Sequence, residues 1–248
     1  MDPGLAHLSV DWQRRTVYFS ISDQHTNAST SARIYTNRMY ASGAYKNVWE
    51  GYYTEGVKRG ERFISKGFKS GSVVENDYYD KEPEIFRLSQ MIIDAFNTAN
   101  IIQGQRIILI TPTVWIYREG GSRKLFEPLM DDFQKFNSNT GWTDTDDLQS
   151  YALQALSHFS YHLTNGQSLL CDLQGSVYPD RYELIDPVIM SQESFRYGPS
   201  DLGPKAISNF FYWHHCGLYC KPQWIKPSFD PSVRCAMQKG TVMRPAHT

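Results

Sequence analysis

Late in the chain, His214-His215-Cys216-Gly217-Leu218-Tyr219-Cys220 sets a histidine and two cysteines at the spacing His-x-Cys-x3-Cys. Imidazole and thiolate are the donors that zinc takes in closed tetrahedral sites. If this stretch is helical, Cys216 and Cys220 share one face. A closed site needs a fourth ligand from another segment. His158 is the first choice, because it follows Ala155 by about one helical turn and so points toward an apolar side. His162 and His215 compete for the role. The spacing also suits two buried cysteines among surface histidines, and these residues alone do not separate the two readings. Cys171 and Cys235 read as ordinary thiols.

A second group offers oxygen donors. Asp172-Leu173-Gln174-Gly175 follows the apolar run Leu169–Cys171, so a carboxylate and an amide stand at the end of a buried strand. That donor set suits Mg2+, although an aspartate there also serves as a turn former. Lys66 lies in a strand-like run with Ile64 and Phe68 at alternate positions. Facing inward, it would require phosphate or a carboxylate as partner. Periodicity alone favours the plainer reading, an exposed lysine on an edge strand. The loop within ASGAYKNVWEG at 41–51 has small residues whose N–H groups could cradle phosphates. The chain contains neither GxxxxGK[ST] nor GxGxxG, so a P-loop or Rossmann reading has no motif.

The elements that must position these groups are β-rich first and helix-rich second. Runs at 16–21, 34–42, from Val48 and at 62–68 are rich in β-branched and aromatic residues. Gly43, Gly51, Gly56, Gly60, Gly67 and Gly71 punctuate them as turns. The apolar spacing of Ile85, Leu88, Ile92, Ala95 and Ala99 predicts a helix over 83–99 with Pro83 in its first turn. Strands follow at 106–112 and 113–117, with a turn at 120–122. A second helix is predicted at 145–161 on Leu148, Ala152, Ala155 and Phe159, then a short strand at 168–173. A third helix begins near Pro204 with Ile207, Phe210 and Phe211 inside. Residues 221–248 are aperiodic and Pro-containing and read as an irregular tail. The whole is an α+β architecture with two lobes.

A formal net charge of −1 gives no polybasic character, so no nucleic-acid partner is expected. No apolar run approaches the ~18 residues of a membrane helix. The opening MDPGLAHLSV lacks the basic and apolar parts of a secretory signal. Four cysteines are too few for a disulfide scaffold, which leaves an intracellular setting, cytoplasmic or nuclear.

Read in order, GAYKNVWEG, FISKGF, FEPLMDDFQKFNSNTGW, ALSHFSYHLTNG, LLCDLQG, Ile-Asp-Pro, YGPSDLG and WHHCGLYC resemble the alpha-kinase family of atypical Ser/Thr protein kinases, from about residue 41 to Cys220. The resemblance implies a two-lobed protein-kinase-like fold: a β-rich N-lobe at about 1–126, a hinge at about 127–131 and a mixed C-lobe at about 132–220, with the tail at 221–248. It implies ATP and Mg2+ as cofactors, structural Zn2+, and a protein substrate with a Thr or Ser acceptor. It leaves the oligomeric state open, and the chain is expected to be a stand-alone kinase or an excised domain.

By the same resemblance, Lys66 contacts ATP phosphates, and Lys46 stands where the family usually has a phosphate-side arginine. Glu127 and Met130 match hinge residues beside the adenine, and Lys135 to Asn139 line the cleft after it. Asp172 and Gln174 hold magnesium; Asp186 is the catalytic aspartate, with Asp180 as the alternative because the link from Gly175 is longer than usual. Gly198, Asp201, Leu202 and Gly203 match a glycine-rich loop in which Asp201 replaces an asparagine and would bear on metal binding. Glu82 or Glu84 would fill a further acidic role, and His158, His214, Cys216 and Cys220 hold zinc. The rival readings are a nucleotide-binding pseudokinase and a zinc-stapled interaction module.

Overall fold

The computed structural model describes residues 31–43, 45–69, 74–117, 123–144, 148–228 and 237–240, together with the strand at 12–18. Its elements in chain order are β1 (Trp12–Tyr18), β2 (Ala32–Ser42), β3 (Lys46–Tyr53), β4 (Arg62–Phe68), α1 (Val74–Thr98), β5 (Arg106–Leu109), β6 (Thr113–Tyr117), β7 (Arg123–Pro128) and β8 (Gln134–Lys135). Then follow α2 (Leu148–Leu163), β9 (Ser168–Cys171), β10 (Gln174–Val177), β11 (Arg181–Ile185), β12 (Val188–Ser191) and α3 (Pro204–Trp213). The chain forms two compact units, one from 1–75, 111–130 and 243–248, the other from 76–110 and 131–242.

The first unit is built on a six-stranded sheet in the order β1-β6-β7-β4-β3-β2, with neighbours antiparallel. β4 therefore lies inside the sheet, and its residues Phe63 to Gly67 are all buried. This overturns the edge-strand reading of Lys66. A strand covered on both faces carries no alternating pattern from which to read exposure. Phe63, Phe126 and Trp115 stack at 4.3 and 4.6 Å between ring centroids and fill one face. Gly51 and Gly67 are not turn residues; each lies within a strand. A Cβ on Gly51 would come within 2.3 Å of the Arg33 carbonyl and 2.6 Å of the Phe63 ring, so only glycine lets β2, β3 and β4 approach there.

The second unit pairs β5-β11-β10-β8 in one sheet and β12 with β9 in a ribbon. Ile92, Ile93 and Phe96 from α1 pack with Leu153 and Leu156 from α2 and with Ile107 and Leu184 from the sheet. α1 starts nine residues before Pro83, which is interior to the helix and not in its first turn. The upstream two turns read VENDYYDK, too polar to extend the apolar period on which the prediction rests. α2 is buried from Ala152 to Tyr161, while Leu148 at its first turn is exposed. Ala99 falls beyond α1 and is exposed. α3 matches the prediction, with Ile207, Phe210 and Phe211 inside. The predicted turn at 120–122, Gly71 and Cys235 lie outside the described residues. Among those described, no helix is long and apolar enough to cross a membrane.

Candidate functional site

In the first unit, Lys66 is 1 % exposed and its Nζ lies 2.6 Å from Glu127 Oε2, itself buried on β7. The register explains the pair: Lys66 faces Leu125 and Ile64 faces Glu127 across β4 and β7. A lysine desolvated to this degree stays charged only beside an anion. Lys46, at the first position of β3, stands over the Phe68 ring at 5.6 Å. The loop before it closes as a tight turn, with Gly43 N–H donating to the Lys46 carbonyl at 2.8 Å. Met130 is buried just after β7.

In the second unit, β8 runs beside β10 with Lys135 opposite Gln174. Lys135 Nζ meets Asp172 Oδ1 at 2.7 Å, and Gln174 Nε2 donates to Asp172 Oδ2 at 3.2 Å. Asn137, fully buried, accepts a hydrogen bond from Leu173 N–H at 2.9 Å and donates to Ser157 Oγ on α2 at 3.0 Å. Leu173 in turn accepts from Phe136 N–H. The stretch after residue 134 thus clamps the backbone that carries Asp172. Burial raises the Asp172 carboxyl above its ordinary range, against the opposing pull of Lys135, and Asp186 raises it further.

The long link between Gly175 and Asp186 is a regular hairpin of β10 and β11. Gln174 pairs with Ile185, so the hairpin returns Asp186 to the side of Asp172. Asp180 sits at its far end, exposed and paired with Arg181 at 2.9 Å. Asp172 and Asp186 both adopt left-handed backbone, φ 58° and 47°. Gly175 cannot be replaced, since a Cβ would fall 1.8 Å from the Glu183 carbonyl. The Asp172 carboxylate and the adjacent Gln174 amide offer oxygen donors of the kind that Mg2+ takes.

Asp201 is fully buried. Its Oδ1 accepts from Ser191 and Gly203 N–H, each at 3.0 Å, and its Oδ2 accepts from Ser191 Oγ at 2.7 Å and Tyr197 N–H at 3.3 Å. The carboxylate is occupied by its own loop. Gly203, with φ 74°, caps α3, and a Cβ there would strike Ser194 Oγ at 2.1 Å. Glu82 is buried on α1, and Glu84 is half exposed, 3.7 Å from Arg196.

His158, His214, Cys216 and Cys220 converge, their ligand atoms all within 4.8 Å of one another. His158 Nδ1 lies 3.2 Å from His214 Nε2 and 3.6 Å from Cys216 Sγ; His214 Nε2 lies 3.8 Å from Cys216 Sγ and 3.5 Å from Cys220 Sγ. Zinc bonds of about 2.0–2.3 Å at tetrahedral angles separate neighbouring donors by about 3.3–3.8 Å. The cluster fits that ion. Burial lowers the imidazoles to about 4 for His158 and about 3 for His214, which keeps both neutral and able to donate. Burial, then the neighbouring Cys216, raises Cys220 to about 12, a field that a divalent cation reverses. His215 is exposed and His162 stacks on Trp224, so neither joins the group. The stretch from His214 is not helical, contrary to the expectation; α3 stops at Trp213, His214 and Cys216 follow in irregular chain, and a turn from Gly217 brings in Cys220. Cys171 is a buried thiol on β9, raised by burial.

Two features of the site are not legible in the sequence. Asn137 lies in the Lys135–Asn139 stretch, but its bonds to Leu173 and Ser157 carry no sequence signal, and the tail reads only as irregular. Yet Gln238 accepts from Ser138 Oγ and Thr140 Oγ1 at 2.7 and 2.9 Å, and Trp224 is buried against His158.

Residues 41–220 match the family model described as the Alpha-kinase family, and the chain belongs to that family. It is 38% identical to alpha-protein kinase vwkA of Dictyostelium discoideum over 41% of this chain and 16% of that protein. It is 32% identical to human eukaryotic elongation factor 2 kinase over 43% of this chain and 14% of that protein. The chain therefore spans under a fifth of the curated relatives it matches. Among solved structures, it resembles the alpha-kinase domain of myosin-II heavy chain kinase A, solved in complex with ATP (TM-score 0.61, 22% identity, 77% of this chain and 87% of that one). It also resembles an alpha kinase from Entamoeba histolytica (TM-score 0.63, 19% identity, 85% of each chain). The fold is the two-lobed alpha-kinase fold, and a His/Cys group able to bind zinc is part of it.

Proposed function

We propose that the chain is an ATP-dependent protein kinase domain that transfers the γ-phosphate to a Ser or Thr hydroxyl. The carrying observation is the hairpin that returns Asp186 to Asp172 while Asn137 and Lys135 hold Asp172 in place. Family membership supports the reading, and the ATP complex of the myosin-II heavy chain kinase A domain supports ATP as donor.

Phosphoryl transfer depends on positioning and on neutralising charge. Lys66, paired with Glu127, supplies one positive charge for the phosphates, and Lys46 a second. Asp172 and Gln174 present oxygens to Mg2+, which when bound neutralises the phosphate oxygens. Asp186 accepts the acceptor hydroxyl's proton or orients it. Glu127 and Met130 contribute to the adenine side. Asp201 holds the loop from Ser191 to Gly203 in one shape. The four-residue His/Cys group would hold structural Zn2+, and four protein ligands would tie α2 to the segment after α3. The protein is read as intracellular.

The test is transfer of labelled phosphate from Mg-ATP to a basic Thr-containing peptide. Transfer that Asp186→Ala abolishes is the expected result. Nucleotide binding without any transfer would favour the pseudokinase reading, and no nucleotide binding would favour an interaction module.

A further inference from the structure

The family match ends at residue 220, but the packing around the His/Cys cluster does not. A turn closes from Lys221 to Trp224, with Trp224 N–H donating to the Lys221 carbonyl at 3.1 Å. Trp224 is buried, its ring 5.4 Å from His158 at 80° and 5.4 Å from Phe159, and it stacks on His162. The next residue places its carbonyl 3.1 Å from His158 Nε2.

A carbonyl only accepts, so Nε2 must carry the hydrogen. A neutral imidazole has one N–H, which leaves the lone pair on Nδ1. Nδ1 is the atom that faces His214 and Cys216. Such a partner behind a ligating histidine fixes its tautomer and ring orientation.

We propose that the segment from Lys221 to Ile225 is the outer shell of the metal centre, with Trp224 as a positioning residue that seats the Ile225 carbonyl against His158. This rests on the zinc reading of the cluster. The backbone carbonyl cannot be removed by substitution, so the burial of Trp224 is the handle on it.

The experiment uses the full chain. Zinc content of the wild type is measured first, then the rate of zinc release to a chromophoric chelator for wild type, Trp224→Ala and Trp224→Phe. Release about 10-fold faster or more in Trp224→Ala, largely restored in Trp224→Phe, is expected. Long-range proton–nitrogen spectra of the wild-type histidines are expected to show His158 protonated at Nε2, a readout that needs no variant to fold. Zinc-loaded wild type with unchanged release in Trp224→Ala, or His158 protonated at Nδ1, overturns the outer-shell role alone. A wild type that carries no zinc overturns the zinc reading and this inference with it.

Discussion

Asp172 and Asp186 stand at the two ends of one β-hairpin, and both hold left-handed backbone, φ 58° and 47°. A non-glycine residue pays a steric penalty in that region, and such residues concentrate where geometry serves chemistry. The hairpin separates the two candidates for the catalytic aspartate. Asp186→Asn is expected to lower kcat about 10²–10⁴-fold in the peptide transfer assay. Asp180→Asn, which loses only an exposed pair with Arg181, should change it less than about twofold. The reverse ranking would reassign the role.

Lys66 and Glu127 form a buried ion pair, so its structural and chemical parts can be separated. Glu127→Gln removes the carboxylate beside the buried lysine and is expected to cost about 3–5 kcal/mol in urea unfolding. The double replacement Lys66→Met with Glu127→Leu should recover most of that stability, because apolar residues of similar size fit such a site. It should recover no phosphate transfer. A stable and active double variant would show that Lys66 is there for the fold alone.

Asn137→Ala removes the acceptor for a buried Leu173 N–H and the donor to Ser157. About 1–3 kcal/mol of stability should be lost. If the clamp positions Asp172, kcat falls while KM for ATP changes little. A raised KM for ATP with kcat unchanged would mean that Asn137 serves only nucleotide binding.

Asp201→Asn tests what the carboxylate does. Asparagine keeps the Oδ1 acceptor for Ser191 and Gly203, but its amide would face the Tyr197 N–H donor. The expected cost is about 1 kcal/mol, with the magnesium dependence of activity unchanged. A shifted magnesium requirement would return Asp201 to the metal side.

Much of this was legible in the sequence, unevenly. α3, β4 and the convergence of His158, His214, Cys216 and Cys220 could be read from spacing and resemblance because side-chain type carries those signals. The surroundings of Lys66 could not: β4 is interior, so alternation reported nothing about exposure. β10 and β11 were missed because Arg181 and Glu183 make the return strand look like a loop. Asp201 resembled a metal-side residue, yet three of its four donors are backbone N–H groups, which leave no trace in residue type. The role of Ile225 is likewise a backbone carbonyl, invisible until the fold places it.

β5 and β6 are separated by three residues yet belong to different sheets. During synthesis, β5 emerges with its apolar edge open and must wait for β11, about 70 residues later, as its parallel partner. At roughly 5–20 residues per second the delay is about 4–14 s. Neither unit is contiguous in the chain, so neither can complete its sheet from a single stretch of nascent polypeptide. A ribosome stalled between residues 110 and 181 would hold an unpaired strand edge, the state most exposed to chaperone capture.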